Sequence, residues 1–398
     1  MTALPILPGS TIGVVGGGQL GRMLALEARR MGYRTVLLDP AEDSPGAQVA
    51  DSHIRAPLND LDGLRRLADR SDVVTLEWEN ADAEALLALN DGCPIRPGPH
   101  VLAVAQHRLK EKDTARSLGL PTADYRAVTT EAELHAAIDD LGTPSVLKTC
   151  RGGYDARGQR VLRRREDAAP AYAELGRDGR ELVLESWVPF RIEASVICAR
   201  NPRGAIACFP ISENVHRNGI LDFTLAPARI SAALEREARQ IGEALVEGLD
   251  VVGLLAVELF VDGQDRLYVN EYAPRPHNSG HYSWEACTHS QFEMQLRAVC
   301  DLPLPEPRLL SPACMANLLG SHIGIGEKLP GSEQALAIPG LSLHLYGKRS
   351  ARPGRKMGHL TMLAATVEEA FTEVARARDI LSDSYLAAQP LPDPDRHS

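Results

Sequence analysis

Glu258 and Glu271 fall within Leu254 to Tyr272, a stretch whose pattern reads as a β-hairpin turning through Asp262 to Asp265. Symmetric pairing about that turn sets Glu258 opposite Val269, with Glu271 diagonally beside it on the same face, about 7–8 Å away. Two carboxylates on one face repel, and a hard cation or a proton must compensate. Magnesium with nucleotide phosphates supplies that compensation, because the ion takes one or two protein carboxylates and completes its octahedron with phosphate and water. The bland alternative is a bulge that turns one glutamate to solvent.

Two glycine clusters could handle phosphate. Gly16-Gly-Gly-Gln-Leu-Gly21 fits G-x-G-x-x-G between a strand and a helix, with Asp39 ending the next strand. That is the dinucleotide fingerprint, although the same glycines serve a tight turn and close helix packing. Lys148 to Gln159 joins two strands and mixes Lys148, Arg151, Tyr154, Asp155 and Arg157 with three glycines. It reads as a hairpin lid able to wrap a polyphosphate, or as an ordinary surface hairpin; it lacks the Walker Gly-Lys-Ser/Thr. After the paired glutamates, Arg275, His277, Asn278 and Ser279 lie in a proline-framed loop suited to an anionic substrate. Tyr346 to His359 gathers five cations around Pro353-Gly354, either a solvated run or a second anion site.

These residues need a scaffold. Thr11–Val15, a helix through Met31 and Val36–Leu38 form a strand-helix-strand unit, and Ser71–Glu77 adds a buried strand, so the first hundred residues read as doubly wound α/β. A helix is expected over His100–Leu118. Beyond it, strands at 145–149, 182–185, 194–199 and 254–261 alternate with helices at 131–141 and 232–249, an α+β texture. Residues 302–312, with four prolines, read as a linker to a smaller third unit, and 389–398 as a frayed tail.

The chain has 398 residues, with 43 Lys+Arg against 53 Asp+Glu. An acidic balance argues against a nucleic-acid partner. No apolar run is long enough to cross a membrane, and the N-terminus lacks a signal pattern, so a cytoplasmic protein is expected. Seven scattered cysteines without a CxxC pair make a disulfide framework or structural zinc unexpected.

Gly-Gly-Gly-Gln-Leu-Gly-Arg-Met at 16–23, Gly-Gly-Tyr-Asp-Ala-Arg-Gly-Gln at 152–159, Asn-Glu-Tyr-Ala-Pro-Arg-Pro-His-Asn-Ser-Gly-His at 270–281 and Arg-Pro-Gly-Arg-Lys-Met-Gly-His at 352–359 span nearly the whole sequence. Through them the chain resembles the 5-(carboxyamino)imidazole ribonucleotide synthases, ATP-grasp enzymes of purine synthesis. The resemblance implies a Rossmann-like domain over 1–103 that binds no NAD, an ATP-grasp domain over 104–301 and a small substrate-binding domain over 313–398. It also implies a homodimer that carboxylates aminoimidazole ribonucleotide with ATP, magnesium and bicarbonate.

Residue by residue, the resemblance places Arg108, Lys148 and the lid Gly153, Tyr154, Asp155, Ala156, Arg157, Gly158 and Gln159 on the nucleotide phosphates. Glu185, Ser186, Trp187 and Val188 fall at the adenine hinge, Glu193 at the ribose, and His216, Asn270 and Glu271 at further nucleotide positions. Glu258 and Glu271 match the metal ligands. Glu77, Tyr154, Asp155, Arg157, Arg275, His277, Lys348 and Arg355, with Asn278 beside them, fall around the ribonucleotide and its carboxylating intermediate. Lys148, Arg157 and Arg275 are the implied catalytic cations. The competing readings are a formate-using ligase of the same superfamily, an NAD-linked oxidoreductase and a nucleotide-binding module without catalysis.

Overall fold

In the computed structural model, which describes residues 4–89, 92–153, 157–323, 329 and 331–381, the expected N-terminal runs become parallel strands. They are β1 (Thr11–Val15), β2 (Arg34–Leu38) and β4 (Val73–Leu76); the short β3 (Ser52–Ile54), which the sequence pattern does not signal, joins them in the order β3-β2-β1-β4. Their apolar residues are buried nearly throughout, which is why they read as continuous hydrophobic runs rather than alternating ones. The glycine cluster leads β1 into the helix Gln19–Arg30 with Gly16 at φ +101°. A Cβ there would meet the Glu77 side chain at 2.6 Å, so both backbone and space demand glycine. Leu20, Met23, Leu24 and Ala28 of this helix share a core with Phe292, Leu296 and Val299 of the helix Gln291–Val299. That shared core fastens the first unit to the middle of the chain.

The single helix expected over 100–118 is two helices, Pro99–Ala105 and Arg108–Ser117. The break has a physical cause. The Gln106 side-chain amide donates to the carbonyls of Glu79 and Ala81 at 2.7 and 2.6 Å, and the Arg108 amide donates to the Cys150 carbonyl at 3.0 Å. These long-range bonds draw residues 106–108 out of one continuous helical path.

Two antiparallel sheets follow. The smaller has β5 (Tyr125–Val128), β6 (Ser145–Thr149), β7 (Gln159–Leu162) and β8 (Leu182–Ser186), in the order β5-β8-β6-β7. Helices Glu131–Leu141 and Ala168–Leu175 cover its core. The larger holds β9 (Phe190–Arg200), β10 (Ile206–Cys208), β11 (Ser212–Arg217), β12 (Ile220–Ala226), β13 (Gly253–Asp262), β14 (Leu267–Ala273), β15 (Ala313–Leu319), β16 (Leu341–Leu345) and β17 (Lys356–Leu363). Their order is β14-β13-β9-β11-β12-β15-β17-β16, with β10 paired to β9. Although β15 to β17 lie beyond the proline-rich stretch, β15 pairs directly with β12, Phe223 opposite Ala316 and Leu225 opposite Cys314. The last unit therefore prolongs the central sheet.

The cysteine expectation needs one correction. Cys198 and Cys208 face each other across β9 and β10 as a disulfide, because a ten-residue separation folds back as a hairpin. Cys93, Cys150, Cys287, Cys300 and Cys314 are free and buried. No helix among the described residues is long and apolar enough to cross a membrane. Tyr154, Asp155 and Ala156 of the expected lid, and the tail at 389–398, lie outside the described residues.

Gly16→Ala is expected to destabilise the fold by about 1–3 kcal/mol, the usual cost of holding a side chain in a disfavoured backbone region against a close neighbour. Urea denaturation of the variant beside the parent measures it.

Candidate active site

The hairpin β13–β14 sets the centre. Leu259 pairs with Val269, after which the register shifts, so Glu258 stands directly opposite Glu271. The diagonal arrangement expected from symmetric pairing is thus corrected: Asn270 is the extra residue of a β-bulge, and it brings the carboxylates face to face rather than turning one outward. Burial and the facing Glu271 carboxylate raise the pKa of Glu258. Burial opposes ionisation of Glu271 as well, but Arg108, whose Nη1 lies 2.7 Å from Glu271 Oε2, lowers it. Asn270 Oδ1 is buried without a hydrogen-bond partner beside this pair. Two facing carboxylates and an unused amide oxygen are hard oxygen donors, a set that fits magnesium.

Cations crowd the neighbouring wall. Lys148 at the end of β6 and Lys112 on the helix Arg108–Ser117 both approach Glu185 Oε2, at 3.0 and 3.1 Å. Burial would raise the Glu185 pKa, yet Lys148 and Lys112 hold it down at about 2. Burial lowers that of Lys148, and neighbouring Arg108 and Lys112 add to the effect against the pull of Glu185. Glu111, on the same helix, is pushed by burial up to about 8. Arg108, Lys112 and Lys148 gather against Glu185 and Glu271, a concentration of cations that attracts an anion. Glu185 Oε1 is buried and unpartnered, an acceptor open to a donor.

Farther along β9, Glu193 pairs with His216 of β11 at 2.8 Å. Burial opposes protonation of that imidazole, but the Glu193 carboxylate raises it to about 9. After β14, His277 Nε2 lies 3.4 Å from Glu258, and its Nδ1 is 2.8 Å from Ser279 Oγ. Burial and then Arg275 push His277 down to about 3. Arg275 pairs with Glu79 and also feels Glu77 and Glu258, so it bridges the hairpin and the N-terminal unit.

Glu77 explains the glycine fingerprint. Its carboxylate accepts from the Gly18 amide at 2.7 Å and the Gly21 amide at 3.1 Å. The helix N-terminus that would receive a dinucleotide phosphate already holds an anion of the chain itself. From the C-terminal unit, Lys348 Nζ donates to Gln19 Oε1 at 2.5 Å and to the Lys356 carbonyl at 2.6 Å, while Gln48 Nε2 donates to the Gly347 carbonyl at 2.9 Å. The basic loop is thus docked on the glycine turn.

Of the residues singled out in the sequence, Arg108, Lys148, Glu185, Glu258, Glu271 and His277 come together around the hairpin, with Glu193 and His216 on the adjoining strands. Glu77, Arg275 and Lys348 gather at the glycine turn. Gly153 and Gly158 are at the lid base, with the Thr149 amide donating to the Gly158 carbonyl at 2.8 Å; Gln159 begins β7, and Arg157 is exposed. Ser186 ends β8, whereas Trp187 is 40% exposed and Val188 half-buried. Asn278 is buried in a reciprocal amide pair with Asn317. Arg355 is bonded to Ser350 in its own loop.

Several neighbours escaped the sequence reading. Lys112 lies four residues after Arg108, and helical spacing would have placed both on one face. Glu79 is two residues after Glu77, and Lys356 follows Arg355; Lys356 is the cation of that run that acts on Glu258, His216 and His277.

The chain matches the ribonucleotide synthetase preATP-grasp domain over residues 9–106, the ATP-grasp domain over 113–292 and the phosphoribosylaminoimidazole carboxylase C-terminal domain over 313–373. It is 43% identical over 369 residues to the N5-carboxyaminoimidazole ribonucleotide synthase of Bacillus subtilis, covering 93% of this chain and 95% of that protein. An N5-carboxyaminoimidazole ribonucleotide synthetase solved with ADP is 45% identical, with a TM-score of 0.90 over 96% of this chain and 98% of the other. An Aspergillus clavatus synthase, in complex with ADP and 5-aminoimidazole ribonucleotide, is 35% identical with a TM-score of 0.86, covering 94% and 98%.

Glu185→Gln leaves two buried lysines without their carboxylate and is expected to cost about 3–5 kcal/mol at neutral pH. Because folding lowers the Glu185 pKa from 4.5 to about 2, its contribution is complete above pH 4.5 and fades as the pH falls toward about 2. The gap between parent and variant should therefore narrow by roughly 1–2 kcal/mol by about pH 3.5, as read from urea midpoints.

Proposed function

The chain belongs to the N5-carboxyaminoimidazole ribonucleotide synthase family, and from that premise we propose that it carboxylates the exocyclic amine of 5-aminoimidazole ribonucleotide with ATP and bicarbonate, as a step of purine synthesis. The observation that carries this reading is the convergence of the facing pair Glu258 and Glu271 with Arg108 and Lys148. We extend it to a cytoplasmic homodimer, following the resemblance.

Glu258 and Glu271 would hold magnesium, which when bound withdraws charge from the nucleotide phosphates. Arg108 and Lys148 bind those phosphates and stabilise charge that builds during transfer. The unpartnered Glu185 Oε1 suits an adenine amine, with Ser186, Trp187 and Val188 completing the hinge and Glu193, His216 and Asn270 nearby. A bicarbonate oxygen attacks the γ-phosphorus, ADP departs, and carboxyphosphate forms. The lid from Gly153 to Gln159, including Tyr154, Asp155, Ala156, Arg157 and Gly158, closes over this labile anhydride and excludes water.

The ribonucleotide lies between the glycine turn and the docked basic loop. Glu77, Arg275, His277, Asn278, Lys348 and Arg355 form its surroundings, and the resemblance assigns Tyr154, Asp155 and Arg157 to the same substrate. Arg157 and Arg275 hold the anions of the intermediate while the amine attacks the carboxyl carbon, phosphate leaves and the nitrogen loses a proton. Catalysis is then positioning and electrostatics, with a single well-placed donor worth about 3–4 kcal/mol.

Bicarbonate labelled with heavy oxygen tests the reading. One labelled oxygen should appear in the phosphate released with ADP, and release that ignores bicarbonate would contradict the assignment. Glu271→Gln is expected to lower ATP turnover by about 10²–10³-fold, the scale of losing one preorganised electrostatic contact, with its circular dichroism unchanged. Lys348→Ala should raise KM for the ribonucleotide while leaving kcat nearly intact, as measured by steady-state kinetics, because it removes binding shared by ground and transition states.

A further inference from the structure

A second group of ligand-type side chains lies at the end of the small sheet where β6 finishes and β8 begins. His107 precedes the helix Arg108–Ser117, Cys150 follows β6 and Glu181 precedes β8. One ligand atom from each lies within 4.8 Å of the others, and His107 Nε2 is 2.9 Å from Glu181 Oε2. Their backbones are locked together: the Arg108 amide donates to the Cys150 carbonyl and the Cys150 amide to the Glu181 carbonyl, each at 3.0 Å. Three segments distant in sequence thus present imidazole, thiol and carboxylate at one fixed point.

The surroundings fit a bound ion. His107 and Cys150 are 7% and 2% exposed, whereas Glu181 reaches solvent. A cavity of about 670 Å³, lined by Thr149, Cys150, Arg180 and Glu181 among others, opens alongside. The His107 ring makes no cap bond to its helix, and its Nδ1 is buried without a partner. Tetrahedral bonds of about 2.0–2.3 Å set donors about 3.3–3.6 Å apart, so small side-chain rotations complete the geometry. A nitrogen, sulfur and oxygen set excludes magnesium and calcium, which take oxygen donors, and suits a borderline divalent metal.

We propose that His107, Cys150 and Glu181 form a zinc site, separate from the Glu258–Glu271 pair, with its fourth position open to the adjoining cavity. The ion replaces the His107–Glu181 hydrogen bond, and the Cys150 thiol gives up its proton on binding. The ion clips the helix carrying Arg108 to the strands carrying Lys148 and Glu185. Nothing in the proposed carboxylation requires it, so the two readings stand or fall separately.

Cobalt(II), added to the full chain after chelator treatment, is the probe. The expected result is a near-ultraviolet sulfur-to-cobalt charge-transfer band that saturates at one ion per chain and is displaced by zinc. The band should be absent in Cys150→Ser, and the affinity should fall by at least about tenfold in His107→Gln. Both metal-free variants should keep the parent's ATP turnover, which certifies their folding. No such band in the parent, a band that survives Cys150→Ser, or unchanged affinity in His107→Gln would overturn the proposal. Failure of ATP turnover in the parent itself would count against the carboxylase reading alone.

Discussion

The repulsion between Glu258 and Glu271 is the constraint around which the site is organised. A bulge at Asn270 converts a diagonal relation into direct opposition, so two half-buried carboxylates share one patch of the sheet. Such a pair is costly unless protons or cations answer it. Arg108 answers half of the demand through Glu271, leaving Glu258 with its raised pKa. The broken helix at residues 106–108 matters for the same reason, since it starts a new helix at the residue whose side chain reaches Glu271. Lys112 and Lys148 extend the positive wall through Glu185.

The N-terminal unit contributes by what its glycine turn already holds. A helix N-terminus behind G-x-G-x-x-G attracts anions, and here the Glu77 carboxylate fills it. The fold is therefore the one that the fingerprint advertises, with the phosphate position spent internally. Arg275 then carries the link back to the hairpin, and Lys348 brings the prolonged central sheet onto the same turn. The three units thus meet at that turn, over the apolar core and the strand pairing that hold them together.

Much of this was legible because it is local. The parallel strands, the helices Glu131–Leu141 and Ala232–Gly248 and the β13–β14 hairpin follow from hydrophobic period and turn residues. What escaped depends on contacts across sequence. Registry at the bulge could not be read, because one extra residue changes which side chains face each other without changing the pattern. The break before Arg108 comes from bonds to Glu79, Ala81 and Cys150, and the disulfide from a hairpin whose register only folding supplies. Continuity between β12 and β15 was likewise hidden behind prolines that correctly signalled an irregular connection.

The most direct test of the central claim is the electron paramagnetic resonance spectrum of manganese(II), standing in for magnesium, titrated into the protein with ADP. The account predicts a nucleotide-dependent site that weakens sharply when either opposed glutamate becomes glutamine. Manganese binding that is indifferent to both substitutions would contradict it.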